Sequence, residues 1–175
     1  MNLQPAAADE KFREEVREFI RENLPADMAA RQRRIMTLTS NTEDYQRWMG
    51  ILNERGWSVP HWDTRYGGSG WTPMQLHIFE DELHRADAPE FHWISTHLAG
   101  PIIYMFGSEE QRARFLPPIR CGEYIWCQGF SEPGAGSDLV SLRTVATLEG
   151  DHYRVNGQKI WTSGAFEARF GFFLV

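Results

Sequence analysis

Apolar residues recur every three to four positions through the first two thirds of the chain and every second position after that, which predicts helices followed by strands. Phe12, Val16, Phe19 and Ile20 form one stripe in a segment otherwise rich in Glu, Arg and Lys, and Pro25 closes it. Tyr45, Trp48, Met49 and Leu52 form a second stripe, entered after Asn41-Thr42 and ended by Gly56, a residue suited to left-handed backbone just past a helix. Thr72-Pro73-Met74-Gln75 reads as a helix start: a Thr cap, Pro at the first helical position and a Gln placed to reach back. Leu76, Phe79 and Leu83 form the face this helix buries. Gly107 ends one helix, Ser108 with Gln111 opens the next, and Pro117-Pro118 is expected to stop it after Phe115 and Leu116.

From residue 124 onward β-formers take over, in runs at 124–130, 142–148, 153–155, 160–163 and 170–175. Gly150-Asp151 and Asn156-Gly157 are dipeptides that close tight hairpins, so an antiparallel sheet from a barrel or sandwich is expected. The reading is an α+β multidomain chain: a helical domain over 1–122, a boundary near Gly122, and part of a β domain over 123–175. Asp63 and Trp71 bracket a Gly-rich loop. The apolar run Phe172-Phe173-Leu174-Val175 would leave an open sheet edge, so the chain is expected to be the front part of a larger protein.

Composition narrows the function classes. A formal net charge of -6 and a sequence pI near 5.5 give no basic field for a phosphate backbone, which argues against nucleic acid. No apolar stretch approaches the ~20 residues of a membrane span, and the polar N-terminus does not resemble a secretory signal, so a cytoplasmic protein is expected. Cys121 and Cys127 lack the spacing of a redox or zinc pair and read as small buried hydrophobes. His77, Glu80 and His84 share a helix face without a matching pair elsewhere, so a solvated face is preferred to a metal site. His61, His92, His97 and His152 stand apart in sequence and receive no catalytic role.

Two stretches carry candidate chemistry. Residues 129–138 place Ser131 and Ser137 around Pro133-Gly134-Ala135-Gly136, where glycines let backbone approach a ligand and hydroxyls meet carbonyl or phosphate oxygens. Residues 156–164 present Trp161 between Lys159 and Ser163, an aromatic face beside a hydroxyl. Each alone reads more readily as a plain strand-to-strand loop and a core tryptophan. Together they suggest a flavin site. There is no Gly-x-Gly-x-x-Gly after a strand, and Pro133 occupies the position a serine-hydrolase elbow reserves for Gly.

Ser131-Glu132-Pro133-Gly134-Ala135-Gly136-Ser137-Asp138 closely resembles the flavin-loop signature of the acyl-CoA dehydrogenase family, and Asn156-Gly157-Gln158-Lys159-Ile160-Trp161 its second conserved strand. Gly56-Trp57-Ser58-Val59-Pro60, Tyr66-Gly67-Gly68-Ser69-Gly70, Gly107-Ser108-Glu109-Glu110-Gln111 and Leu116-Pro117 are similar to the family in the same order, so the resemblance covers the whole chain. It implies a helical domain, a middle β domain and a C-terminal four-helix bundle, the last absent from these residues, with FAD held between domains and across a subunit interface. By resemblance Gln128, Gly129, Phe130, Ser131, Gly136 and Ser137 contact the flavin or its pyrophosphate, and Ser137 also faces the acyl-CoA substrate. Trp161, Thr162 and Ser163 pack against the ring. Gln128, Phe130 and Ser163 depart from the usual residues, though Ser163 keeps a hydroxyl.

The implied reaction is α,β-dehydrogenation of an acyl thioester with hydride transfer to flavin N5. The base comes from the C-terminal bundle, so no catalytic residue is assigned here, and Glu132 is read as a loop residue. The resemblance further implies electrons passed to an electron-transfer flavoprotein and a homo- or hetero-tetramer. Relatives of the same fold include acyl-CoA oxidases and flavin monooxygenases. A truncated or structural subunit without FAD is the non-enzymatic alternative.

Overall fold

The computed structural model describes residues 6–35 and 40–175. Two compact units, 1–123 and 124–175, are described separately. In the first, six α-helices are formed among the described residues: α1 (Ala7–Asn23), α2 (Ala26–Gln32), α3 (Thr42–Arg55), α4 (Pro73–Arg85), α5 (Gly100–Phe106) and α6 (Glu109–Arg120).

Local chemistry starts and stops these helices. Asn41 caps α3 by accepting hydrogen bonds from the Glu43 and Asp44 amides at 3.0 and 3.2 Å, and Gly56 ends it at φ 78°. Thr72 and Gln75 form a reciprocal capping box on α4, and Ser108 and Gln111 form another on α6. One expectation is corrected: Pro117 and Pro118 lie inside α6, which continues to Arg120. Burial of Leu116 and Ile119 carries the helix through the missing donors, and the Cys121 amide still reaches the Pro117 carbonyl at 3.2 Å.

The stripes meet in an aromatic core. Trp57 lies within 6 Å of Phe19, Trp71 and Phe79 by ring centroid, and Phe12 meets Trp71 edge-on at 5.0 Å. On α4 the buried set includes Ile78, Phe79 and Leu83, together with the carboxylate of Glu82. Arg13 and Arg17 of α1 bind Glu82 at 2.5 and 2.9 Å. Burial alone would raise the Glu82 carboxyl, but the two guanidiniums outweigh it and hold it below the ordinary value. His77, Glu80 and His84 lie on the exposed side of the same helix.

Ahead of α5, residues Ile94–Ala99 form a π-helical segment. Pro101 follows the widened turn. The Gly100 amide bonds back five residues to the Ser95 carbonyl, while Pro101 has no N–H to offer the Thr96 carbonyl. The Trp62 indole therefore donates to the Thr96 oxygen at 2.6 Å, and His61 Nε2 donates to it at 3.1 Å. His61, expected to stand apart, stacks on His97 with centroids 3.8 Å apart and planes at 12°. Burial, followed by the neighbouring His61, holds His97 down at about 4, so both rings are neutral near pH 7.

The second unit contains β1 (Trp126–Gly129), β2 (Val145–Glu149), β3 (His152–Asn156) and β4 (Phe170–Phe173). The β2–β3 hairpin is antiparallel and turns on Gly150-Asp151, with Gly150 at φ 67°. β1 and β4 pair in parallel, Trp126 opposite Phe170 and Gly129 opposite Phe173, so the antiparallel expectation holds for the hairpin alone. The run at 160–163 does not form a strand, because Trp161 adopts φ 57° and the Ser163 amide folds back onto the Trp161 carbonyl at 2.9 Å. Asn156-Gly157 closes no hairpin either. A Cβ at Gly157 would lie 2.2 Å from Thr144 Oγ1, so this glycine permits a close approach of two segments.

Trp62 and Gly100 test the π-segment. A Cβ at position 100 would fall 2.0 Å from Trp62 Cζ2, in a site where both residues are buried. Alanine is favoured over glycine inside a helix by about 1 kcal/mol, yet overpacking of this kind costs about 1–3 kcal/mol or more. Gly100→Ala is expected to lower the thermal unfolding midpoint; an unchanged or higher midpoint would refute this packing argument.

Candidate functional site

The sequence between β1 and β2 folds into a tight turn around Glu132. Its amide donates to the Ala135 carbonyl at 2.8 Å and the Ala135 amide returns a bond at 3.1 Å, so Pro133-Gly134 forms the tip. Ala135 is buried while Gly134, Gly136 and Ser137 are exposed. A Cβ built on Gly134 or Gly136 meets nothing within 4 Å, which leaves their backbone open to an approaching group.

The Glu132 side chain turns inward and is 7% exposed. One oxygen, Oε2, accepts from the Arg143 amide at 2.7 Å. The other, Oε1, accepts from the Thr144 amide at 2.9 Å, Thr144 Oγ1 at 2.5 Å and Lys159 Nζ at 2.9 Å. Lys159 Nζ, itself only 9% exposed, also donates to the Phe130 carbonyl at 3.0 Å. The Lys159 ammonium, then Thr144, hold the Glu132 carboxyl down at about 2. A group so strongly anionic and so fully bonded is a poor proton acceptor at neutral pH.

This arrangement brings the two candidate stretches together. The Ile160 amide donates to the Ser131 carbonyl at 2.9 Å, so Trp161 begins one residue from the serine-bearing loop. Trp161 is 85% exposed and its backbone is left-handed, an uncommon state for a bulky residue. It is therefore no core tryptophan. Ser131 and Thr162 are half-buried, and Ser163 is exposed.

The remaining predicted residues lie on or next to β1. Gln128 is half-buried opposite Phe172, and Phe130 meets Phe172 edge-on at 5.7 Å. Gly129 is buried, and a Cβ there would lie 2.3 Å from Phe173 Cδ1, which gives it a packing reason of its own. Sequence reasoning missed the Lys159–Glu132–Thr144 cluster. Its only trace was a lysine two residues before a tryptophan and a glutamate inside a glycine-rich loop.

The carboxylate makes this unit acid-sensitive in a defined window. The folded-state pKa of Glu132 lies below its ordinary value of 4.5, so its stabilising contribution is complete above about 4.5 and is lost as pH falls through about 2. Amide hydrogen exchange at residues 143 and 144, whose amides donate to this carboxylate, is expected to accelerate over that interval, once corrected for the intrinsic pH dependence of exchange. Glu132→Gln should flatten the profile, and an equally steep profile in that variant would assign the sensitivity elsewhere.

Comparison with known proteins places this geometry. Residues 6–123 match the model of the acyl-CoA dehydrogenase N-terminal domain, and residues 127–175 match that of the acyl-CoA dehydrogenase middle domain. Acyl-CoA dehydrogenase IpdE1 of Mycobacterium tuberculosis is 38% identical over 174 residues, covering 94% of this chain and 44% of its own. The solved Tcur3481-Tcur3483 steroid ACAD superposes with a TM-score of 0.79 at 33% identity, over 99% of this chain and 44% of its own. A Mycobacterium smegmatis glutaryl-CoA dehydrogenase solved in complex with FADH2 gives 0.65 at 26% identity, over 90% of this chain and 39% of its own. The chain thus spans less than half the length of these relatives. Among the described residues no helix is long and apolar enough to cross a membrane. With both domain models matched in order across nearly its whole length, the chain belongs to the acyl-CoA dehydrogenase family.

Proposed function

We propose that the full-length protein is an FAD-dependent acyl-CoA dehydrogenase that removes the α- and β-hydrogens of an acyl-CoA thioester. Residues 1–122 form its helical domain and residues 123–175 part of its middle β domain. The observation that carries this reading is the exposed, left-handed Trp161 joined to the Ser131 loop through the Ile160 amide. A large aromatic side chain left open to solvent on strained backbone, beside open glycine amides and free-standing hydroxyls, suits a flat polar ring with an anionic tail.

FAD supplies the hydride-accepting ring when bound. In this reading Trp161 and Thr162 pack on that ring, and the hydroxyls of Ser131 and Ser163 meet its polar edge. Gly136 and Ser137 receive the phosphates, and Ser137 also faces the thioester. Gln128, Gly129 and Phe130 carry the loop and line its inner side. Residues outside 1–175 provide the base, since Glu132 is held near 2 by Lys159 and has no role in proton transfer.

The closer match to the steroid dehydrogenase, 33% identity against 26% for the glutaryl-CoA enzyme, favours an acyl group carrying a fused ring system. The two-chain name of that relative favours a hetero-oligomer as the working form; an electron-transfer flavoprotein as electron acceptor is carried by the family resemblance.

The test is a visible spectrum of the full-length protein, copurified with its partner chain, followed by anaerobic addition of a steroid-ring acyl-CoA or glutaryl-CoA. Flavin absorbance that bleaches with the ring-bearing thioester is the expected result. A colourless protein would reject the flavin reading; rapid turnover with oxygen alone would move it to the oxidase relatives. Trp161→Ala is expected to weaken flavin binding by about 0.5–1.5 kcal/mol, roughly two- to tenfold in Kd by calorimetry.

A further inference from the structure

We propose that Lys159 and Glu132 act as positioning residues for the cofactor: their buried ion pair locks the serine-bearing loop to the indole-bearing segment and so sets the geometry of the flavin cradle. The inference rests on the flavin reading above and extends it to two side chains that do not touch the ring.

The connectivity carries the argument. Lys159 Nζ spans both sides of Ser131 in sequence, donating to the Phe130 carbonyl at 3.0 Å and to Glu132 Oε1 at 2.9 Å. The residue between them, Ser131, gives its carbonyl to the Ile160 amide at 2.9 Å. Residues 130, 131 and 132 are thus each tied to residue 159 or 160, and the next residue, Trp161, inherits its position from those ties. Glu132 is anchored in turn on the Arg143 and Thr144 amides at 2.7 and 2.9 Å, which fixes the lysine from the far side. Trp161 has no packing of its own to hold it, being 85% exposed at φ 57°. A strained, exposed side chain keeps one orientation only if its neighbours over-determine the backbone.

The two halves of the pair do different work. The carboxylate is held by backbone donors as well as by Lys159, so the turn at 132–135 survives loss of the lysine. The ammonium alone connects that turn to the Trp161 segment by side chain. Removing Lys159 therefore loosens the cradle more than the turn. Arginine keeps the charge and several donors, and restores the link in part.

The experiment uses the full-length holoprotein with Lys159→Met and Lys159→Arg, reading flavin Kd, the positions of the visible absorption bands and the unfolding midpoint of the apoprotein. Lys159→Met is expected to raise flavin Kd about tenfold, in line with losses seen when supporting partners of a bound group are removed at metal sites, and to shift the bands. Lys159→Arg is expected to recover part of both. Unchanged Kd and bands in Lys159→Met, with only a lowered midpoint, would overturn the proposal and leave the pair a purely structural contact. Wild-type protein that binds no flavin at all would instead defeat the flavin reading on which the proposal rests. If Lys159→Met fails to fold, Glu132→Gln carries the same three measurements: an amide lacks the charge that draws Lys159 in, and an unchanged Kd there overturns the proposal equally.

Discussion

Glu132 must find donors for both carboxylate oxygens once it is taken out of water, and the shape of the second unit follows from where those donors lie. Two backbone amides, a hydroxyl and an ammonium converge on it from residues 143, 144 and 159. None belongs to a regular ladder. The strands on either side supply only short pairings, β1 with β4 and β2 with β3, so the irregular chain between them depends on this carboxylate for its course. Burial makes the requirement strict, because a charged group without partners in such a place is far costlier than one left in solvent.

Trp161 shows what that anchoring sustains. Left-handed backbone costs a bulky L-residue about 1–2 kcal/mol, and a residue 85% exposed recovers little of it through burial. The conformation persists because Ile160 is bonded to Ser131 and Lys159 to Phe130 and Glu132, immediately upstream in the same segment. Strain and exposure together mark a residue whose conformation is set for something outside the folding of this unit.

Legibility in the sequence followed range. Caps at Asn41, Thr72 and Ser108 and the turn at Gly150-Asp151 were readable because donor and acceptor lie within three or four residues of each other. The stop expected at Pro117 failed because tertiary burial of Leu116 and Ile119 outweighed a local penalty. The strand expected at 160–163 failed because the alternation of apolar residues there serves no sheet. Lys159 and Glu132 are 27 residues apart, and no periodic pattern links them. The candidate stretches themselves were legible as chemistry, through glycine, hydroxyl and indole. Their pairing in one site came from the family resemblance and from no local pattern, and the parallel pairing of β1 with β4 was not legible, since the register of distant strands leaves no trace in either one alone.

The helical unit meets the same constraint with a different group. Pro101 leaves the Thr96 carbonyl without its helical partner, and a buried carbonyl cannot remain so. Trp62 and His61 arrive from a loop more than thirty residues upstream to satisfy it, at 2.6 and 3.1 Å. Because an oxygen can only accept, His61 must carry its proton on Nε2, which fixes the tautomer of one ring in the stack with His97. Gly100 is then required for the indole to lie close enough, with Cζ2 where a side chain would begin. In both units an acceptor at an irregular point of the backbone is met by donors from distant segments, and that bond fixes the course of the chain beside it.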